Sequence, residues 1–105
     1  MVKQVESQAK FKEALTSAGN KLVVVDFFAT WCGPCKMIGP KFDKMADEFK
    51  DCVFLKVDVD ELEEVVEEYA VKVMPTFVLI KNGSAILVLE GNVPDKLKEA
   101  IEKNK

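Results

Sequence analysis

Residues 22–28, Leu-Val-Val-Val-Asp-Phe-Phe, form the most apolar run of the chain, and Asp26 is the single polar side chain in it. Because β-branched and aromatic residues dominate the run, it predicts a strand. Apolar side chains stand at odd and even positions alike, so both faces of this strand must be covered. The run therefore predicts a buried strand in a sheet that has helices on both faces.

Two of the three cysteines, Cys32 and Cys35, follow this strand. Helical spacing of apolar residues begins after Cys35, so the pair lies where a strand passes into the N-terminus of a helix. The thiolate is the reactive form of cysteine, and the free N–H groups and positive dipole end of a helix favour it. We expect Cys32 to be an exposed thiol at the first turn and Cys35 to lie on the same side, largely buried. This arrangement predicts a thiol–disulfide oxidoreductase.

The residues around the pair fit the same chemistry. Pro34 loses no hydrogen bond in a first helical turn, because N–H groups there have no helical partner. Gly33 has no side chain to obstruct a substrate sulfur that approaches Cys32. Lys36 adds positive charge nearby, although a solvated lysine explains its position equally well. We predict that these three residues tune the dithiol.

Half of a zinc site is the main alternative for a Cys-x-x-Cys pair. Tetrahedral zinc needs four ligands, whereas this chain has no histidine and only one further cysteine, Cys52. Parallel strands would place Cys52 at the opposite end of the sheet, about 20 Å from Cys32. We therefore predict no metal site and interpret Cys52 as a packing or edge cysteine.

Periodicity along the rest of the chain predicts one α/β domain over residues 1–105, with the element order β-α-β-α-β-α-β-β-α. The predicted strands are 2–5, 22–28, 53–59, 76–80 and 85–90. The predicted helices are 7–18, one from the cysteine pair to about 49 with a kink at Pro40, one from about 61, and 95–103. Asn82-Gly83 is a hairpin signal, so the last two strands are expected to be antiparallel at the edge of an otherwise parallel sheet.

Composition excludes several other classes of function. The net charge is −3 and the pI about 5.0, so the chain has no basic footprint for nucleic acid. No apolar run reaches the length of a membrane span, and residues 1–8 lack the apolar core of a signal peptide. We therefore expect no membrane contact and a cytoplasmic protein, where a cysteine pair is catalytic more often than structural.

Segments along essentially the whole chain carry a resemblance to a known family. They are Val25-Asp26-Phe27, Trp31-Cys32-Gly33-Pro34-Cys35-Lys36, Lys56-Val57-Asp58-Val59-Asp60, Met74-Pro75-Thr76-Phe77 and Lys81-Asn82-Gly83. The chain resembles the thioredoxin family, and its first residues and residues 21–25 look most like the animal cytosolic members. This resemblance implies the thioredoxin fold, a central mixed sheet of about five strands flanked by four helices. It also implies a protein-disulfide reductase with a Cys32–Cys35 redox pair.

Asp26 is the anomaly in an otherwise apolar strand. Burial would raise its pKa by desolvation, and the resemblance implies that it accepts the proton of Cys35, through a water. An ordinary turn or helix-cap acceptor is the alternative for this residue. Lys56 is similar to a lysine that pairs with this aspartate in bacterial members, although many animal members lack it.

The resemblance also implies a substrate groove. Pro75 is similar to the family's cis-proline opposite the dithiol, and it would leave the backbone of Met74 free to pair with an extended substrate segment. Trp31, Gly91 and Asn92 would complete the groove. The alternatives are a trans proline that starts a strand and a Trp31 that fills the core. For the acidic residues from Asp58 to Glu68, a solvated helix face is the default interpretation.

The partners follow from the same resemblance. The chain has no glycine-rich dinucleotide fingerprint, so we expect no bound cofactor and re-reduction by an NADPH-dependent thioredoxin reductase. Disulfide-containing proteins are the expected substrates. Leu62, Tyr69 and Val73 stand near positions where animal members often carry extra cysteines, so we expect a monomer. A disulfide oxidase or isomerase and a non-catalytic binding module are the competing hypotheses.

Overall fold

The apolar run forms β2 (Val23–Phe28), the central strand of a five-stranded sheet with the order β1-β3-β2-β4-β5. The computed structural model describes all residues, 1–105. The other elements are β1 (Val2–Gln4), α1 (Gln8–Ala18), α2 (Gly33–Glu48), β3 (Val53–Asp58), α3 (Glu63–Glu68), β4 (Thr76–Lys81), β5 (Ser84–Glu90) and α4 (Pro94–Asn104). β1, β3 and β2 are parallel, whereas β4 is antiparallel to β2 and β5 is antiparallel to β4. The predicted element order and mixed sheet are confirmed.

Side chains along β2 point alternately to the two faces of the sheet, so the core has two layers. Val24 faces α2 and α4 and packs in a cluster with Phe42 and Leu97. Val25 faces the other side and belongs to a cluster with Phe11 of α1 and Val65 of α3. Every residue from Val23 to Phe27 is buried, which explains why this strand is apolar at both odd and even positions.

The register of the parallel strands sets where the cysteines lie relative to the ends of the sheet. Phe28 pairs with Asp58, and Val23 pairs with Val53. The carboxyl ends of β2 and β3 therefore lie side by side, and Cys52 lies beyond the opposite end of the sheet, as predicted.

Helix boundaries differ from the predictions mainly at α3, which begins at Glu63 rather than near Glu61. The Asp58 carboxylate accepts a hydrogen bond from the N–H of Asp60 at 2.9 Å, and the Asp58 carbonyl accepts from the N–H of Leu62. These bonds hold a turn that delays the helix. α2 continues through Pro40, so the kink at this residue stays a prediction.

The last hairpin turns at Asn82-Gly83, where both residues have positive φ, 53° and 81°. This geometry suits a two-residue turn between twisted antiparallel strands, which explains the choice of Asn and Gly. β5 forms the outer edge of the sheet and is largely exposed. No helix combines the length and the hydrophobicity that a membrane span requires.

Candidate active site

Cys32 and Cys35 form a disulfide at the N-terminus of α2, with their Cα atoms 5.3 Å apart. Cys32 is the N-cap of this helix, and its Sγ accepts a hydrogen bond from the Cys35 N–H at 3.2 Å. Gly33 and Pro34 form the exposed start of the first turn. A sulfur in this position receives a backbone donor and the positive end of the helix dipole, so the geometry favours a thiolate at Cys32 when the disulfide is reduced.

The expected exposure of Cys32 is wrong for the disulfide form. Cys32 is 5% exposed and Cys35 is 6% exposed, so both are buried. The cause is the loop before β4, because Met74 packs against the pair and its carbonyl oxygen lies 3.6 Å from Cys32 Sγ. The predicted burial of Cys35 is confirmed.

Asp26 lies in the middle of β2 and is 1% exposed, and its Oδ1 has no hydrogen-bond partner. It is therefore neither a turn residue nor a helix cap, and those alternatives are wrong. Burial raises the pKa of Asp26 to about 7; the positive charge of Lys56 opposes the increase and the negative charge of Asp43 adds to it. A carboxyl group with this pKa exchanges protons near neutral pH.

Lys56 is the direct neighbour of Asp26 on β3. Its Nζ lies 4.4 Å from the ring centroid of Phe28, a cation–π contact, and no ion pair joins it to Asp26. Lys56 therefore lies beside Asp26, as the resemblance implies, but the implied direct pair is absent and Lys56 lowers the pKa of Asp26 through its charge.

The Met74–Pro75 peptide bond is cis, as the resemblance implies. Neither the N–H nor the carbonyl of Met74 pairs with another backbone group, whereas the Pro75 carbonyl accepts a bond from the Gly91 N–H at 2.8 Å. Gly91 has a φ of 90°, which glycine adopts without strain. This bond ties the loop that carries Gly91 and the exposed Asn92 to the cis-proline loop.

Trp31 is 66% exposed, so it does not fill the core. Its Nε1 donates to the Asp60 carboxylate at 2.9 Å, a contact between residues 29 positions apart. The sequence indicates only a solvated acidic face for Asp60 and does not predict this bond. The placement of Asp60 directly beyond the end of β3 nearest the dithiol was the one sequence signal for this bond.

Lys36 is exposed on the second turn of α2.

The thioredoxin family model matches residues 2–103 of the chain. The chain is 52% identical to thioredoxin from Equus caballus over 102 residues, 97% of each chain. It is 50% identical to thioredoxin-1 from Schizosaccharomyces pombe over 104 residues, 99% of each chain. The solved structure of Fasciola hepatica thioredoxin superposes with a TM-score of 0.95 at 41% identity, over 98% of this chain and 99% of that one.

The matches to thioredoxins and the geometry of the site indicate the same chemistry. The strand, the disulfide at the helix N-terminus and the loop before β4 occupy the positions that the resemblance requires. No group of three or more His, Cys, Asp or Glu side chains is arranged to hold a metal ion. The chain belongs to the thioredoxin family, and it is a protein-disulfide oxidoreductase whose redox group is the Cys32–Cys35 pair.

Proposed function

We propose that the reduced protein cleaves substrate disulfides with Cys32 as the nucleophile and Cys35 as the resolving thiol. The observation that carries this assignment is the hydrogen bond from the Cys35 N–H to Cys32 Sγ at the N-cap of α2. The Cys32 thiolate attacks one sulfur of the substrate, a mixed disulfide forms, and the other substrate sulfur leaves as a thiolate. Cys35 then attacks Cys32 Sγ, the Cys32–Cys35 disulfide forms, and the second substrate sulfur leaves with its electron pair.

Asp26 accepts the proton of Cys35 before this second attack. Its buried carboxyl group has a pKa of about 7, and Oδ1 is free of hydrogen bonds. A base with a pKa near the working pH is both available in its ionised form and strong enough to take a proton. A water molecule bridges the two groups in this proposal.

An extended segment of the substrate binds beside the dithiol. The N–H and carbonyl of Met74, which bond to no other backbone group, offer main-chain hydrogen bonds to such a segment. Trp31 supplies exposed apolar surface on one side. Pro75, Gly91 and Asn92 form the other side, where the bond from Gly91 fixes the two loops relative to each other.

The oxidised pair is reduced again by a thioredoxin reductase, which is the partner that the family uses. We propose that the chain acts as a monomer in the cytosol and takes disulfide-containing proteins as substrates. Leu62, Tyr69 and Val73 support the monomer, because the chain has no thiol at these positions and its third cysteine, Cys52, lies at the far end of the sheet. Sedimentation of the oxidised and reduced forms tests the oligomeric state.

Insulin disulfide reduction with NADPH and a thioredoxin reductase tests the cycle. We expect turnover by the native chain and by Cys52→Ser, and none by Cys32→Ser. Cys35→Ser should accumulate a mixed disulfide through Cys32, visible as a covalent adduct that dithiothreitol removes. If Cys35→Ser binds substrate proteins without such an adduct, the chain is a binding module and the assignment is wrong.

A further inference from the structure

Thr76 is the first residue of β4, and its side chain is one of three polar or charged side chains that are buried in the chain. Only 1% of the residue is exposed. A buried hydroxyl destabilises a fold unless it forms a hydrogen bond, and a valine would fill the same space without this cost. The sheet itself does not use the hydroxyl, because β4 pairs with β2 and β5 through its backbone. The partner of the hydroxyl therefore explains why threonine rather than valine stands here.

The hydroxyl of Thr76 forms its hydrogen bond outside the sheet. Its Oγ1 donates to the Val73 carbonyl at 2.6 Å, and this carbonyl accepts no bond from a backbone N–H. Lys72 and Val73 are exposed and belong to no helix or strand. The bond therefore ties an exposed loop to the buried start of β4, and it spans the two residues between them, Met74 and Pro75.

A second bond holds the same loop from the other side. The Gly91 N–H donates to the Pro75 carbonyl at 2.8 Å. Between these two anchored carbonyls lies Met74, whose N–H and carbonyl bond to no other backbone group. The Met74 carbonyl oxygen lies 3.6 Å from Cys32 Sγ. One side-chain bond and one main-chain bond therefore hold the free main chain of Met74 beside the sulfur that attacks the substrate.

A substrate cysteine that is bonded to Cys32 comes close to this main chain. The Cα atoms of two disulfide-bonded cysteines are about 5.5–6 Å apart, and paired strands lie about 4.8 Å apart. Because these two spacings are similar, the backbone of a substrate cysteine reaches pairing distance from Met74. A small disulfide has no main chain to pair. A fixed Met74 therefore favours disulfides in extended peptide segments over small disulfides.

We propose that Thr76 is a positioning residue that determines specificity: its hydroxyl holds the Val73 carbonyl and thereby fixes the free main chain of Met74 for pairing with a peptide substrate. The proposal rests on the proposed binding of an extended segment beside the dithiol. Thr76 acts through the loop and not on the reacting sulfurs. A loop that is already fixed loses less conformational freedom when the substrate binds, so the hydroxyl contributes to affinity for peptide disulfides.

Steady-state kinetics with two kinds of disulfide, at saturating reductase, separate positioning from folding. Thr76→Val removes the hydroxyl and keeps a β-branched side chain that suits a strand. We expect its KM for insulin to rise about two- to tenfold with kcat nearly unchanged, and its rate with bis(2-hydroxyethyl) disulfide to stay within about twofold of the native rate. Thr76→Ser keeps the hydroxyl and should keep the native KM. Thr16→Val is the matched control, because the Thr16 hydroxyl also donates to a carbonyl, that of Lys12, at an exposed position on α1.

Hydrogen exchange of the Met74 N–H, followed by NMR, measures the pairing directly. The sample is the mixed disulfide between Cys32 of Cys35→Ser and a short capped peptide with a single central cysteine. The adduct with mercaptoethanol, which has no main chain, is the reference. We expect the Met74 N–H to exchange at least about tenfold more slowly in the peptide adduct. Addition of Thr76→Val should remove most of this protection, whereas addition of Thr76→Ser should keep it.

An unchanged KM for insulin in Thr76→Val, or a KM that rises equally in Thr16→Val, overturns the proposal. Equal losses of rate with insulin and with the small disulfide also overturn it, because they assign Thr76 to the fold alone. Full protection of the Met74 N–H in the peptide adduct of Thr76→Val overturns the role of the hydroxyl and leaves the substrate groove intact. If the Met74 N–H is not protected even in the adduct of Cys35→Ser, the extended pairing is wrong, and the proposed groove fails together with the role of Thr76.

Discussion

The two ends of α2 place cysteines in opposite environments. Cys32 is the N-cap of this helix, whereas Cys52 lies three residues beyond its C-cap, Phe49, and its N–H donates to the Phe49 carbonyl. At the N-terminus a sulfur receives an N–H donor and the positive end of the dipole. At the C-terminus the nearest dipole end is negative, and both burial and the charge of Asp51 raise the pKa of Cys52.

Reactivity in this chain therefore depends on position relative to one helix rather than on exposure. Cys52 is partly exposed, and the Cys32–Cys35 pair is buried in its oxidised form, yet the buried pair carries the chemistry. Thiolate formation is what differs between the sites, because the thiolate is the attacking species.

The largest expected effect is the loss of turnover in Cys32→Ser, by about a thousandfold or more, since a serine hydroxyl has no thiolate to offer. Cys52→Ser should keep the rate of the native chain within twofold. Both rates are measured as NADPH oxidation in the coupled insulin assay. A comparable loss in Cys52→Ser would mean that the two ends of α2 are not chemically distinct.

Sequence patterns predicted the positions of the strands, the helix that begins at the cysteine pair, and the anomalous Asp26, because each depends on local periodicity or on a single buried strand. The bond between Trp31 and Asp60 could not be predicted, since it depends on how two loops meet. The burial of Cys32 was missed for the same reason, because it depends on the packing of Met74 from a loop 42 residues away. Tertiary contacts between loops carry no periodic signal.

Asp26→Ala should give the next largest effect, on stability. The pKa of this carboxyl group rises from 3.8 to about 7 on folding. Because the folded-state value is the higher one, ionisation destabilises the fold: the penalty is absent below about pH 4, grows between pH 4 and 7, and is complete above pH 7. A difference of this size corresponds to about 4 kcal/mol. Loss of buried volume offsets about 1 kcal/mol of the gain.

Urea denaturation of the oxidised protein tests this effect. The free energy of unfolding of Asp26→Ala should exceed that of the native chain by about 3 kcal/mol at pH 8 and should fall below it, by up to about 1 kcal/mol, at pH 4, where only the loss of buried volume remains. A gain in stability that is equal at both pH values would show that the gain does not come from the ionised carboxylate.

The same variant should slow disulfide exchange, and exchange rates that stay unchanged from pH 6 to 9 would remove Asp26 from the mechanism.

Trp31→Phe should have a smaller effect, confined to the substrate side of the pair. The variant keeps an aromatic ring and loses the bond from Nε1 to Asp60. We expect KM for a protein disulfide to rise about two- to tenfold, because the ring is no longer held in place, with kcat nearly unchanged. Asp60→Asn keeps an oxygen acceptor for the indole N–H and serves as the control. A change in the pH profile of the resolving step in Trp31→Phe would contradict a role of Trp31 that is confined to substrate binding.

The smallest expected effect concerns the far end of α2. In a Cys32→Ser, Cys35→Ser background, Cys52 is the one remaining thiol, and its raised pKa should make iodoacetamide alkylation at pH 7.5 slower than that of a free cysteine derivative. Asp51→Asn should speed the reaction about twofold, since it removes a neighbouring negative charge and leaves burial in place. Asp47→Asn removes the same charge from a more distant turn of the helix and should leave the rate unchanged. If Cys52 instead reacts as fast as the free derivative, burial and the C-terminal end of the helix do not suppress its thiolate. Position along α2 would then fail to explain why only the N-terminal end of this helix carries the chemistry.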